Sequence, residues 1–242
     1  MILAINIGNT NIRAAIGNGG IEAQTVFYAH TDNIIDHLQE GFGDIWDKIK
    51  GSIIATVVPE QEGKVMKALQ DKIKKPVKRV DVRNCGNLRT DKYKGLLGED
   101  RVVCCARALQ KYAVPLAVID FGTATTINVV DKEGEFIGGA ILPGLRTGLD
   151  ALVRNTAQLP PITVGKSIPL IGKNTTENLE SGAVIGLACA VEGFLGRIEK
   201  ELGYEISVVV TGGHAPVILP YCQFEYSHEP VLLLEGLLSL WN

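Results

Sequence analysis

The chain has no C-x-x-C pair, no cluster of lysines and arginines, and no apolar run that approaches membrane-spanning length. Each absence removes a class. Its cysteines are Cys85, Cys104, Cys105, Cys189 and Cys222, an odd number without metal-ligand spacing, so a zinc or disulfide framework is excluded and buried thiols in a reducing compartment are expected. The formal net charge is −3, and the most basic stretch, residues 72–83, interleaves its charges with Ile73, Pro76, Val77 and Val80. That pattern reads as a solvated helix end followed by a strand, and no nucleic-acid partner is expected. Residues 1–16 lack a basic leader, and Asn6, Asn9, Asn11 and Arg13 interrupt their apolar run, so they are not read as a signal peptide. The expectation is a soluble, cytoplasmic protein with no membrane partner.

What is present begins with a repeat. Ile5-Asn6-Ile7-Gly8-Asn9-Thr10-Asn11-Ile12 near the start is echoed by Ile119-Asp120-Phe121-Gly122-Thr123-Ala124-Thr125-Thr126 midway. Each copy has an apolar run, then an acid or its amide, then a glycine among small polar residues. Glycine lets backbone approach phosphate oxygens closely, and a carboxylate just before the turn can hold a cation. The first copy carries Asn6 where the second carries Asp120.

The order of elements repeats as well. Strands are predicted over residues 2–7, 12–16, 21–29, 52–58 and 77–82, with helices over 33–50, broken near 41–43, and over 61–74. Strands over 117–120, 127–130, 137–141 and 207–211, with helices over 149–154, 178–202 and 231–240, repeat that order with an insertion at 142–177. At 242 residues and 46% hydrophobic content the chain is long enough for such a duplication. The predicted class is α/β, with units 1–114 and 115–242 and a nucleotide cleft between them.

Other constellations add chemistry. Gly98-Glu99-Asp100-Arg101 precedes a helix of small and apolar residues. Acids at a helix start offset its dipole, and Asp100 there is also suited to accept a hydroxyl proton while Arg101 orients it or binds an anion. Tyr93, just upstream, is read as an exposed loop residue that can wall a pocket. The glycines of Gly138-Gly139-Ala140-Ile141-Leu142-Pro143-Gly144 imply close approach to a ligand or another subunit. Thr211-Gly212-Gly213-His214 offers flat backbone for a base, with His214 as a loop residue rather than a catalyst. Thr175 or Thr176 is expected to cap the helix that follows.

On these residues the chain resembles the type III pantothenate kinases of the actin, sugar kinase and Hsp70 superfamily, over almost its full length. The family's D-x-G-N-T turn is similar to Asn6-Ile7-Gly8-Asn9-Thr10, its G-x-D-R motif to Gly98-Glu99-Asp100-Arg101, and its D-x-G-T-A-T-T turn to Asp120-Phe121-Gly122-Thr123-Ala124-Thr125-Thr126. The segments Gly138 to Gly144 with Ala157-Gln158-Leu159-Pro160, Asn174-Thr175 through Ser181-Gly182, and Thr211-Gly212-Gly213 match in the same order. The resemblance implies duplicated actin-like (ribonuclease H-like) units and ATP-dependent phosphorylation of pantothenate, the first step of coenzyme A synthesis. It implies ATP contacts from Asn6, Ile7, Gly8, Asn9, Thr10, Asn11, Ile12, Arg13 and Thr123. Pantothenate contacts would come from Tyr93, Gly98, Glu99, Asp100, Arg101 and Thr175, with Asp100 the general base. Mg²⁺ would arrive with ATP, Asp120 would ligate K⁺ or NH₄⁺, and a homodimer would hold pantothenate near its interface. Asn6 departs from the family's acid. It keeps an oxygen acceptor and loses a charge, which leaves two readings open: an active kinase, or a non-catalytic or weakly active accessory paralogue that binds nucleotide or pantothenate. A kinase of the same fold acting on another small alcohol is a third.

Overall fold

The structure, a computed structural model, describes residues 1–28 and 33–241. Its chain forms two units that are discontinuous in sequence. Met1–Lys111, Gly134–Phe136 and the segment from Val231 onward form the first, and Tyr112–Glu133 with Ile137–Pro230 form the second.

In the first unit β1 (Ile2–Ile7), β2 (Asn11–Gly17) and β3 (Ile21–Tyr28) make an antiparallel meander. Then follow α1 (Ile34–Phe42), a 3₁₀ turn (Gly43–Lys48), β4 (Gly51–Thr56), α2 (Pro59–Ile73), β5 (Val77–Arg79) and α3 (Glu99–Lys111). The second unit contains β6 (Leu116–Phe121), β7 (Ala124–Val130), β8 (Phe136–Pro143), α4 (Leu145–Asn155) and α5 (Thr175–Glu180). A π-helical turn (Ser181–Ile185) joins α5 to α6 (Gly186–Leu202), and β9 (Ser207–Thr211), α7 (Ala215–Ile218) and β10 (Ser227–His228) follow. The last helix is α8 (Leu232–Ser239).

The sheets run β3-β2-β1-β4-β5 and β8-β7-β6-β9-β10. In each, the first two strands of the unit are antiparallel and the first and fourth are parallel. The expected duplication is present strand for strand.

Alternation sets the layers of the first unit. Leu3, Ile5 and Ile7 share a face with Ile12, Ala14 and Ile16 and bury it against Leu38, Phe42, Val65 and Leu69. Each such fully buried aliphatic contributes about 1.5–3 kcal/mol of transfer free energy. The opposite face belongs to α3 and α8, and glycines make the room. A Cβ at Gly17 would stand 2.9 Å from Leu238, one at Gly51 2.3 Å from the Trp241 ring, and one at Gly236 2.6 Å from Val103 of α3. Asn6 pairs with Arg13 across the hairpin and alternates onto this α3–α8 face.

Several sequence expectations shift. The final helix, expected in the second unit, belongs to the first, because its apolar residues pack beside α3 on that unit's second sheet face. Strand 52–58 stops at Thr56, since Pro59 opens α2 at a position where its missing N–H costs nothing. The strand over 77–82 is only Val77–Arg79, and α4 begins at Leu145 rather than 149. Ala29, the expected end of the third strand, lies outside the described residues.

Thr175–Leu202, taken through its π turn, is a 28-residue helix that by length and composition alone is apolar enough to span a membrane. The sequence reading found no such run. Its Leu179, Val184, Leu187, Ala188, Val191 and Leu195 lie in the core of the second unit, which accounts for the apolarity.

Candidate active site

In the first unit the glycine turn closes tightly: the Gly8 N–H donates to the Asn11 carbonyl at 3.0 Å. Ile7 and Ile12 are fully buried, so they offer a ligand only backbone, while Asn9 and Thr10 stand exposed. Thr56, at the end of β4, ties this hairpin to α3. It donates from Oγ1 to the Ile7 carbonyl at 3.5 Å, and its N–H donates to Glu99 Oε2 at 2.8 Å.

Glu99 and Asp100 are adjacent acids with different fates. Glu99 is 8% exposed, and its other oxygen accepts from Arg79 Nε at 2.8 Å and Nη2 at 2.7 Å. Both its oxygens serve the fold; the expected substrate contact becomes a strut from α3 to β4 and β5. Asp100 remains at the mouth of the helix. Its Oδ1 accepts the Arg101 N–H at 2.8 Å and folds back over Gly98, where a Cβ would stand 2.7 Å from it. Burial pushes the Asp100 carboxyl above the usual carboxylate range, and the Arg101 N–H and guanidinium oppose that rise. A carboxylate raised in this way is a better proton acceptor than a solvated one.

Arg101 is set by aromatic rings. Its guanidinium carbon lies 5.8 Å from the Tyr93 ring centroid and 5.3 Å from that of Phe136, and those two rings meet edge to face at 5.2 Å. Tyr93 is therefore half-buried packing, not an exposed loop residue. Its loop is pinned to residues 134–136. The Phe136 N–H donates to the Arg89 carbonyl at 2.8 Å, and Glu135 accepts the Lys92 N–H at 2.6 Å with the Lys92 ammonium at 3.4 Å. Phe136, Glu135, Thr56 and Arg79 escaped the sequence reading. Only the one-turn spacing that puts Glu99 on the buried face of Val102, Val103 and Ala106 gave a usable signal.

The second unit holds the other half of the candidate residues. The Gly122 N–H donates to the Ala124 carbonyl at 3.1 Å. Exposed Thr123 accepts, through its carbonyl, the Gly144 N–H at 3.1 Å and the Thr147 hydroxyl at 2.6 Å. The Phe121 carbonyl accepts the His214 N–H at 2.9 Å, and His214 Nδ1 lies 3.2 Å from the Gly122 carbonyl. His214 is a brace for the turn. A Cβ at Gly144 would stand 2.3 Å from the Gly122 carbonyl oxygen, and one at Gly212, whose φ is +103°, would stand 2.5 Å from Asp120 Oδ1. A Cβ at Gly139 would stand 1.8 Å from the Ile127 carbonyl oxygen. These glycines, expected to admit a base, a ligand or another subunit, admit the unit's own backbone.

Asp120 is half-buried at the end of β6, with Oδ1 facing the glycines. The helix cap is Asn174, which accepts the Glu177 N–H at 3.0 Å; Thr175 is the exposed first helical residue and does not cap. Cys85, Cys104 and Cys105 are buried free thiols, and burial pushes Cys105 up to about 12, so they are packing groups. Among the described residues no group of three or more His, Cys, Asp or Glu is arranged to hold a metal.

Comparison with known proteins bears on the family and the fold. A sequence model of the type III pantothenate kinases matches residues 2–197. The chain is 35% identical over 253 residues to the type III pantothenate kinase of Roseiflexus sp., covering 100% of this chain and 98% of the relative. A Campylobacter jejuni protein described as a Baf family transcriptional activator shares the fold with a TM-score of 0.63 at 18% identity, over 97% of this chain and 94% of that one. An archaeal actin homologue shares it with a TM-score of 0.53 at 11% identity, over 99% and 98%.

Proposed function

The chain belongs to the type III pantothenate kinase family, and from that premise we propose that Asp100 is the base of its ATP-dependent phosphorylation of pantothenate to 4′-phosphopantothenate. The observation that carries the assignment is the carboxylate at the mouth of α3, folded over Gly98, raised by burial and held one residue from an aromatic-bound Arg101. In-line phosphoryl transfer demands positioning and charge neutralisation more than covalent chemistry. Asp100 accepts the proton of the attacking hydroxyl. Arg101, fixed by Tyr93 and Phe136, binds the pantothenate carboxylate; the exposed Thr175 hydroxyl is the second unit's own candidate for a substrate contact. Each glycine turn, taken within its own unit, offers groups suited to phosphate oxygens: the exposed Asn9 and Thr10 backbone in the first, and the exposed Thr123 hydroxyl in the second.

Mg²⁺ enters with ATP as part of the substrate. Mg²⁺ is commonly held by one or two carboxylates plus substrate phosphates, which is the mode proposed here. The half-buried Asp120, with Oδ1 turned to its glycines, fits a monovalent cation, K⁺ or NH₄⁺, which when bound would offset phosphate charge. An apolar groove of about 400 Å³ in the second unit, lined by Leu142, Pro143, Leu152, Gly182 and Gly186, supports a homodimer. The protein is proposed to work in the cytoplasm. The test is turnover of purified protein with ATP, Mg²⁺, K⁺ and pantothenate beside other small alcohols. Asn6 favours the accessory-paralogue reading, and absence of turnover together with retained nucleotide binding would establish that reading instead.

A further inference from the structure

The two glycine hairpins share topology and register and differ in the group they present. Asp120 pairs with Thr126 and turns a carboxylate oxygen to its glycines. At the equivalent place Asn6 pairs with Arg13. Asn6 is 9% exposed; its Oδ1 is sealed in the protein and has no hydrogen-bond partner among the described residues. Its Nδ2 is the atom on the turn side, 3.9 Å from where a Cβ on Gly8 would stand. Directly opposed residues of an antiparallel pair share a face, so the half-buried Arg13 stands beside Asn6, and no carboxylate pairs with it among the described residues.

With Oδ1 sealed away, Nδ2 on the turn side is the amide's group open to a ligand, and a donor beside a turn of close-approaching backbone is matched by an acceptor. An anion supplies one. An acid at position 6 would repel phosphate oxygens unless a divalent ion stood between them, and would also neutralise Arg13. Asn6 does neither. We infer that the first turn of this chain binds triphosphate oxygen directly, through Asn6 Nδ2 and the Arg13 guanidinium, so that nucleotide docks there without a divalent cation. This rests on the reading of the chain as an ATP-dependent kinase and states how that site engages phosphate.

The experiment is calorimetric titration of the full chain with a hydrolysis-resistant ATP analogue, in excess Mg²⁺ and again in EDTA, so that the readout is affinity and not turnover. Wild-type affinity is expected to differ by less than about threefold between the two conditions, because charge-assisted donors need no bridging ion. Asn6→Asp, nearly isosteric, is expected to lose about tenfold or more in EDTA and to recover in Mg²⁺. Arg13→Gln is expected to weaken binding about equally in both. Wild-type binding that weakens more than tenfold in EDTA while remaining tight in Mg²⁺ would overturn the direct-donor site and leave the kinase reading standing. Equal metal dependence in wild type and Asn6→Asp would overturn it too. No nucleotide binding under either condition would remove the kinase reading itself, and the inference with it.

Discussion

The glycine turn of the second unit is braced by groups that follow β8 and β9, whereas that of the first is held from the end of β4. Around Gly122 and Thr123, the Gly144 N–H, the Thr147 hydroxyl and His214 all converge on turn carbonyls. Around Gly8, the closing contact to Asn11 is joined by two bonds to the Ile7 carbonyl, from the Thr56 hydroxyl at 3.5 Å and the Val57 N–H at 3.1 Å. The difference teaches that duplicated hairpins need not carry duplicated work. The second turn is a rigid mount for an acid, and the first is a lighter loop whose strand end is coupled, through Thr56 and Glu99, to the helix bearing the base.

That division can be broken experimentally. Asp100→Asn should lower kcat by about 10²–10⁴ while leaving nucleotide affinity almost unchanged. The same variant tests the burial argument. Asp100 has its pKa raised in the fold, so the folded state holds that proton more tightly than the unfolded chain. Stability should therefore fall as pH rises from the ordinary carboxylate range through the raised pKa, and Asp100→Asn should abolish that slope without lowering Tm at neutral pH. A kcat within about threefold of wild type, roughly 0.7 kcal/mol of barrier, would remove Asp100 from the chemistry.

Next in size is the bracing. Gly212→Ala forces a methyl onto backbone within 2.5 Å at a φ of +103°, whereas a methyl at Gly8 meets the Asn11 carbonyl at 3.0 Å. Urea unfolding should show a loss of about 1–3 kcal/mol or more for Gly212→Ala, and a smaller loss for Gly8→Ala. Equal losses would mean that the two turns are equally constrained. Asp120→Ala should then erase the rise in rate that KCl produces in a sodium buffer; a wild-type rate indifferent to K⁺ would end the cation assignment. The smallest effect concerns the Arg101 cradle. Phe136→Leu removes one ring face, worth about 0.5–2 kcal/mol, and should raise KM for pantothenate by roughly 2- to 30-fold with kcat little changed. An unchanged KM would show that Arg101 holds its place without the ring.

How much was legible follows from distance along the chain. The hairpins, the break at residues 41–43 and the matched strand order were readable because apolar alternation and glycine turns are local signals. Asp100 was readable from its motif. The structural role of the Glu99 carboxylate was legible in its spacing to Val102, Val103 and Ala106, which marks the buried face, but the neighbouring acid drew the whole motif toward the substrate. Phe136 was out of reach, since its partners lie more than thirty residues upstream, brought in by the Arg89–Glu135 bridge. Asn174 was passed over as cap because Asn, Thr and Thr in succession are all competent, and only the backbone decides.

The placement of α8 carries a consequence for how the molecule comes into being. The sheet face that holds Asn6 is covered by Leu238 and Trp241, yet the rest of that sheet is translated before the second unit begins. A ribosome making this chain exposes an unfinished first unit through the whole translation of the second. That interval leaves an apolar sheet face open to chaperones or to misassociation. The second unit, contiguous but for residues 134–136, has all its strands before that helix appears. In vectorial synthesis the later unit is thus the earlier one to be complete, and the closing helix arrives last to seal the half that was begun first.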